Sequence, residues 1–387
     1  MMSTTSFTSK LPQTQTSIFS VMSALAREHQ AINLSQGFPN YDPPQALRKL
    51  VAQHMEQGHN QYAPMPGLPQ LRQVLAEKHS SSSGRTIDPD QEITVTSGAT
   101  EALYVALTTV VRPGDEVILL EPAYDSYRPV VELCGGTVVP YQLAYPDYQV
   151  DWVEFASLIS DKTRLIVLNN PHNPTGTIWS KTDWEQLDRL VAEHDLFILS
   201  DEVYEQLVFD GQRHYSLLDF PRLYERGFAT YSFGKTFHST GWKVGYCIAP
   251  PVLTKEFRKI HQFTVFSVNT PVQFALADYL LEAATYRGLS PFYQEKRDLL
   301  VEQFKGTALR PLQCAGTYFQ LFDYSAISDD NDLDFARWLT TAIGVAVIPV
   351  SAFRSVHSEE RVVRVCFAKT EEVLSAAGKV LREKLPA

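Results

Sequence analysis

RLIVLNNPHNPTGTIWSKTDWEQLDRLVAEHDLFILSDEVY, residues 164–204, reads as a strand, a helix and a second strand. RLIVL (164–168) and LFILS (196–200) are near-continuous apolar runs. Such runs suit strands covered on both faces, as in a parallel sheet. Between them, Ser180 with Asp183 makes a capping box, and Trp184, Leu187, Leu190 and Val191 form one apolar helix face. Strand, crossover helix and parallel strand is the repeating unit of a doubly wound α/β domain.

Outward from this unit the pattern repeats. EITVT (92–96), EVILL (116–120) and FATYS (228–232) are further strand candidates. The expected architecture is an α/β domain over residues 46–285, with a mostly parallel sheet and helices on both faces. The run Ser80–Ser83, followed by Gly84, reads as a short surface loop. Past residue 287 the pattern changes to a helix near 291–304, shorter strands around 316–322, 345–348 and 361–367, and a last helix from Glu371. That mixture predicts a smaller α+β domain built from residues 1–45 and 286–387. A chain of 387 residues is long enough for two such units.

In open α/β sheets ligands bind beyond the carboxyl ends of the strands. Here each strand candidate runs into a polar or glycine-containing segment: Ser97-Gly98-Ala99-Thr100, Glu121-Pro122-Ala123-Tyr124, Asn169 to Gly176, Asp201-Glu202-Val203-Tyr204, and Phe233-Gly234-Lys235. Free N–H groups at Gly98-Ala99-Thr100, opening a helical run, suit an anion such as phosphate. Ser232 and Lys243 can add a hydroxyl and a positive charge. Asp201 follows four apolar residues, and a carboxylate at such a buried end is costly unless a cation pairs with it. A protonated pyridine nitrogen would be such a cation. Lys235, in the glycine-rich SFGKTFHSTGWKVG, becomes a useful nucleophile only where its surroundings lower its pKa from ~10.4. Each of these residues alone reads as a solvated loop, a helix cap or a surface lysine. Five strand ends converging on one rim make the stronger case.

Bulk properties narrow the function classes. The net charge of −10 argues against a nucleic-acid surface. No apolar run reaches the ~20 residues of a membrane span, and the polar start MMSTTSFTSKLPQTQTS does not resemble a signal peptide. Cys134, Cys247, Cys314 and Cys366 are far apart, without CxxC spacing, and read as reduced, mostly buried thiols rather than disulfides or a metal site. Together these features lead to an expectation of a cytoplasmic protein.

The chain resembles the class I aminotransferases of pyridoxal-phosphate (PLP) fold type I. SFGKTFHSTGWKVG is similar to the family's PLP-lysine region, and NNPHNPTG, SDEVYEQL and TSGATEAL to its companion motifs. The likeness runs from LSQGFPNYDPP (34–44) to RVVRVCFAK (361–369). The resemblance implies that Lys235 is the Schiff-base lysine that also moves the substrate proton, and that Asp201 pairs with the pyridine nitrogen. It further implies that Tyr204 and Asn173 bond the phenolic oxygen, that Tyr124 stacks on the ring, and that Ala99, Thr100, Ser232 and Lys243 hold the phosphate. Family members often carry arginine where this chain has Lys243, so a point charge replaces a bidentate contact. Arg364 would grip the substrate α-carboxylate, assisted by Gly37 and Asn173. Strand alternation in RVVRVCF supports a buried Arg364 independently, with Arg361 on the opposite, solvated face. Tyr62 resembles the tyrosine that reaches the phosphate of a neighbouring subunit, which implies a homodimer.

The implied reaction moves an amino group from an amino acid to a 2-oxo acid by a ping-pong route. No second arginine is evident for a side-chain carboxylate, and the rim segments carry Phe19, Phe38, Tyr62 and Tyr124. Such a pocket suits methionine first, then aromatic amino acids, histidine or kynurenine. The motifs are most similar to the branch containing kynurenine aminotransferases, glutamine transaminase K and bacterial methionine aminotransferases. C–S β-lyases share the fold and the lysine, so elimination from a cysteine conjugate stays open as an alternative. A PLP-bound regulatory module is the reading outside enzymes, and it would need a DNA-binding segment that the short stretch before Ser17 is too small to supply.

Overall fold

The computed structural model describes residues 8–12, 14 and 16–386; residues 1–7, 13, 15 and 387 lie outside the described residues. A short strand β1 (Ile32–Asn33) is followed by the seven strands of the main sheet. These are β2 (Ile93–Thr96), β3 (Glu116–Glu121), β4 (Thr137–Gln142), β5 (Thr163–Asn169), β6 (Phe197–Asp201), β7 (Gly227–Ser232) and β8 (Gly245–Ile248). Their order across the sheet is β2-β8-β7-β6-β5-β3-β4. β4, β3, β5, β6 and β7 run parallel, and β8 alone is reversed against both its neighbours. Two reversals in a row restore direction, so β2 points the same way as β7.

That topology builds the functional rim. Thr96 pairs with Gly245, and Gly245 with Ser232. Asp201 pairs with Thr230 on one side and Asn169 on the other. The carboxyl ends of β2, β5, β6 and β7 therefore lie side by side. Burial follows from cover on both faces: β2 is wholly buried and β6 nearly so.

The expected helix between β5 and β6 spans Lys181–His194, with Ser180 and Asp183 exchanging both capping-box bonds. Trp184, Leu187 and Val191 are buried against the sheet, and Leu190 is partly buried. Beyond the main sheet, β9 (Arg310–Pro311), β10 (Phe319–Asp323), β12 (Ile348–Pro349) and β13 (Val362–Cys366) form a four-stranded sheet in the order β12-β13-β10-β9. β11 (Val345–Ala346) instead pairs in parallel with β1. Met22 and Leu34 from the N-terminal segment share one apolar core with Tyr293, Leu300, Phe322 and Leu374.

Three local expectations need correction. Ser80–Ser83 is the last turn of the helix Pro69–Ser83, not a loop. Leu71, Leu75, Ala76 and His79 bury the helix face, and the Ser82 and Ser83 hydroxyls both donate to the His79 carbonyl, so the serines fill acceptors at the end of the helix. Gly84 then ends the helix in the left-handed region. β4 was not foreseen, because TVVPYQ is a half-buried edge strand whose proline breaks its apolar pattern. β8 was not foreseen either, because GYCI is a four-residue run that starts where the glycine-rich SFGKTFHSTGWKVG ends. No helix among the described residues is long and apolar enough to cross a membrane.

The helix Lys181–His194 gives a test of this account. Trp184→Ala empties a fully buried site and should cost about 3–5 kcal/mol, whereas Ser180→Ala removes one cap and should cost about 1 kcal/mol. Urea unfolding of the two variants checks the order; a larger loss for Ser180→Ala would contradict it.

Candidate active site

A cavity of about 490 Å³ opens over the rim of the main sheet. Gly37, Ala99, Thr100, Tyr124, Asn173, Asp201, Tyr204, Ser232, Lys235, Lys243 and Arg364 all line it. Tyr62 does not: it lies outside the cavity, 82 % exposed, edge-on to Phe266. Phe19 and Phe38 also reach the cavity wall, together with Phe319 from β10.

Asp201 ends β6 and is 3 % exposed. One carboxylate oxygen accepts the Tyr127 hydroxyl at 2.7 Å and the other the Val203 N–H at 3.3 Å. Burial still dominates and pushes the acid up to about 6. Strand alternation turns the adjacent Glu202 away from the cavity, where it meets His214, Ser200, Tyr231 and the Leu217 N–H. Burial opposes ionisation of Glu202 as well, but those partners outweigh it and hold the acid below its usual range. Of two neighbouring buried carboxylates, only Asp201 is held above its usual range.

The loop after β5 links three of the site's parts. Asn169 donates to the Asp201 carbonyl at 2.8 Å and accepts the Asn173 N–H at 2.7 Å. Asn173 in turn accepts Arg364 Nη1 at 2.7 Å. Arg364 is 1 % exposed, lies 3.8 Å from the Phe319 ring centroid and is flanked by Phe19 and Phe353. Its Nη2 reaches the Ser35 carbonyl at 3.3 Å, and its Nε has no hydrogen-bond partner. Burial lowers even this guanidinium to about 10. Arg361 lies on the other face and pairs with the exposed Asp329 at 2.7 Å, as alternation predicts.

Lys235 sits in the short helix Phe233–Thr236 that follows β7. Its Nζ donates to the Tyr318 hydroxyl at 2.9 Å and the Gly37 carbonyl at 3.2 Å. Burial lowers the amine to about 8. Among the described residues, none of Lys235, Asp201 and Arg364 has an opposite charge within 4.0 Å. At the other end of the cavity the helix Gly98–Val110 begins with Gly98 in the left-handed region. A side chain on Gly245 would collide with Ala99 N and Gly98 C, so β8 can approach this turn only as glycine. Lys243 Nζ lies 3.4 Å from Thr100 Oγ1. The turn therefore offers N–H groups, a helix N-terminus and an ammonium to an anion. Tyr127, Tyr318, Phe319 and Ser35 were not singled out in the sequence, because nothing local marks them as partners of Asp201, Lys235 and Arg364.

The match to known proteins agrees with this geometry. Residues 29–380 fit the model of the family described as aminotransferase class I and II. The chain is 52% identical to the methionine aminotransferase of Escherichia coli, over 97% of each chain. It is 36% identical to the kynurenine–oxoglutarate transaminase of Dictyostelium discoideum, over 95% of this chain and 94% of that one. An E. coli crystal structure, described as identifying a methionine aminotransferase function, superposes with a TM-score of 0.96 at 52% identity, covering 98% of this chain and all of that one. An α/β chain with a charged cavity at its strand ends and these relatives belongs to the class I and II aminotransferases.

Proposed function

We propose that this aminotransferase carries PLP on Lys235 and moves the amino group of methionine, or less readily of aromatic amino acids, histidine or kynurenine, to a 2-oxo acid. The observation that carries this reading is three charged groups in one cavity, the buried Asp201 and Arg364 and the half-buried Lys235, with no opposite charge within 4.0 Å of any of them among the described residues. A buried ion without a partner is costly. PLP and an amino acid would together offer one group to each: PLP its aldehyde carbon to the amine and a protonated ring nitrogen to Asp201, the amino acid its α-carboxylate to Arg364. The glycine turn at Gly98, the Thr100 and Ser232 hydroxyls and Lys243 suit the phosphate.

When bound, PLP supplies an electron-withdrawing ring that makes the substrate Cα–H acidic. This chain's residues do the rest. Asp201 would keep the ring nitrogen protonated, and the Tyr127 hydroxyl holds the carboxylate at 2.7 Å. Tyr204 and Asn173 would hold the phenolic oxygen, and Tyr124 would cover the ring; all three line the cavity. Arg364, with Gly37 and Asn173, fixes the α-carboxylate and so the direction in which the Cα–H points. The Lys235 amine, lowered to about 8 by burial, would remove that proton and return one. Tyr62, edge-on to the exposed Phe266, suits contact with a second copy and that copy's phosphate. The working unit is then a homodimer of chains divided into a PLP-binding domain (46–285) and a smaller one (1–45 and 286–387).

Methionine is favoured by the walls. Phe19, Phe38, Tyr124 and Phe319 are apolar, and Arg364 is the only arginine that lines the cavity among the described residues. A second carboxylate would have no matching cation on that wall. Measured with one 2-oxo acid acceptor, kcat/KM for L-methionine should exceed that for L-aspartate by at least about 100-fold, the scale of an unpaired buried polar group. A preference for aspartate would overturn the substrate reading. Release of pyruvate and ammonia from a cysteine conjugate without acceptor would point to elimination instead.

The lone charge of Asp201 also has a stability consequence. An unfolded aspartate ionises near its ordinary value of 3.8, but Asp201 resists ionisation until about 6. The penalty therefore grows between pH 4 and 6 and is fully present above that. In cofactor-free protein, Asp201→Asn should raise stability at pH 7–8 by on the order of 1–3 kcal/mol, and the gain should vanish below pH 4. Thermal melts across this range check the sign; destabilisation at pH 7.5 would contradict it.

A further inference from the structure

The amine of Lys235 is held by two oxygens that are themselves hydrogen-bonded to each other. Tyr318 Oη donates to the Gly37 carbonyl at 2.6 Å, and Lys235 Nζ donates to both, at 2.9 and 3.2 Å. Hydrogen counting fixes the roles. The Gly37 oxygen has two lone pairs and no hydrogen, so it accepts from Tyr318 and from Lys235. Burial holds the Tyr318 hydroxyl well above the ordinary tyrosine range, so it keeps its proton. With that proton committed to Gly37, the Tyr318 oxygen presents only lone pairs to the amine. A neutral amine has two hydrogens and one lone pair. Both hydrogens find acceptors, and the lone pair is left facing neither.

The position of Tyr318 is tightly specified. Thr317 before it has a φ of +69°, which a β-branched residue rarely adopts. That backbone is pinned by Thr317 N–H to the Leu207 carbonyl at 3.0 Å and by Phe319 N–H to Thr317 Oγ1 at 3.1 Å. At Gly316 a Cβ would fall 2.7 Å from Pro171 and 2.9 Å from the Leu207 carbonyl. The Tyr318 ring is wedged between Tyr204, Phe319 and Tyr293, at 5.1, 4.9 and 5.8 Å between centroids. The strain is spent on aiming one hydroxyl.

We infer that Tyr318 is a positioning residue for the reaction: with the Gly37 carbonyl it grips the free Lys235 amine by its hydrogens, so that the lone pair faces the cavity and the substrate Cα–H. This rests on the reading of Lys235 as the cofactor lysine. Tyr318 thereby sets the direction of proton removal without itself exchanging a proton.

The test is Tyr318→Phe, which keeps the ring and deletes the acceptor. The first readout uses cofactor-free protein: reductive methylation of Lys235 with formaldehyde and borohydride, followed by peptide mass mapping across pH. Besides Tyr318, the groups facing this amine are Asp201, Arg364, Lys243, Cys366 and Tyr204, and all are unchanged in the variant. An ammonium that loses one of two acceptors is harder to keep, so the midpoint should fall by roughly one pH unit. In the holoenzyme, kcat should drop by on the order of tenfold to a hundredfold. KM for methionine should stay within about threefold, and the isotope effect with α-deuterated donor should rise. An unchanged midpoint together with an unchanged isotope effect would overturn the inference. Should the variant fold poorly, a ring-fluorinated tyrosine placed at 318 alone weakens the acceptor without changing shape, and it should lower the midpoint less but in the same direction. If wild-type Lys235 proves not to hold PLP, the underlying reading fails; if it does, and the Lys235 midpoint and the isotope effect are both unchanged in Tyr318→Phe, this inference alone fails.

Discussion

Asp201 stands at the end of a strand closed off from water, its carboxylate bonded among the described residues to a tyrosine hydroxyl and one N–H and with no cation within 4.0 Å. Folding must carry that cost in order to have the carboxylate available for a ring nitrogen. Everything around it supplies structure rather than charge. The neighbouring strands β5 and β7 fix its backbone, Asn169 bonds its carbonyl, and Tyr127 orients its side chain. The compensating charge is left to the ligand. Arg364 follows the same logic on the opposite side of the cavity, buried among three aromatic rings with its Nε unpaired. A site built this way favours whatever carries charges complementary to both, and discriminates against a molecule that satisfies only one.

The two groups come from different sheets, and one residue joins them. Asn173, on the loop after β5, takes its N–H to Asn169 and its side-chain oxygen to Arg364 on β13. The parallel sheet sets where Asp201 and Lys235 stand, and the four-stranded sheet sets where Arg364 and Tyr318 stand. Gly37, from the N-terminal segment, meets both Lys235 and Tyr318. A shift of one sheet against the other would therefore spoil the site before it spoiled either core.

Much of this was legible in the sequence, for a physical reason. Strands covered on both faces are apolar runs, and the residues that follow them are polar because they line the rim; RLIVL-NN and LFILS-DE show the change directly. Arg364 was legible because strand alternation placed an arginine among apolar neighbours. What could not be read comes from packing between distant segments. Tyr318, Phe319 and Tyr127 look like ordinary core aromatics in sequence, and only the fold turns them toward Lys235, Arg364 and Asp201. The serine run 80–83 misled because serine is a weak helix former, while the buried face of its helix overrides propensity. Tyr62 lies apart from the cavity of its own chain.

The central claim is that three unpaired charges in one cavity form a site for PLP and an amino acid. The most direct test is the visible absorption spectrum of the purified protein, supplied with PLP, before and after adding L-methionine without any acceptor. The account predicts a visible band that depends on Lys235, is absent in Lys235→Ala, and gives way to shorter-wavelength absorption when methionine is added. No visible band even with excess PLP, or an identical band in Lys235→Ala, would contradict it.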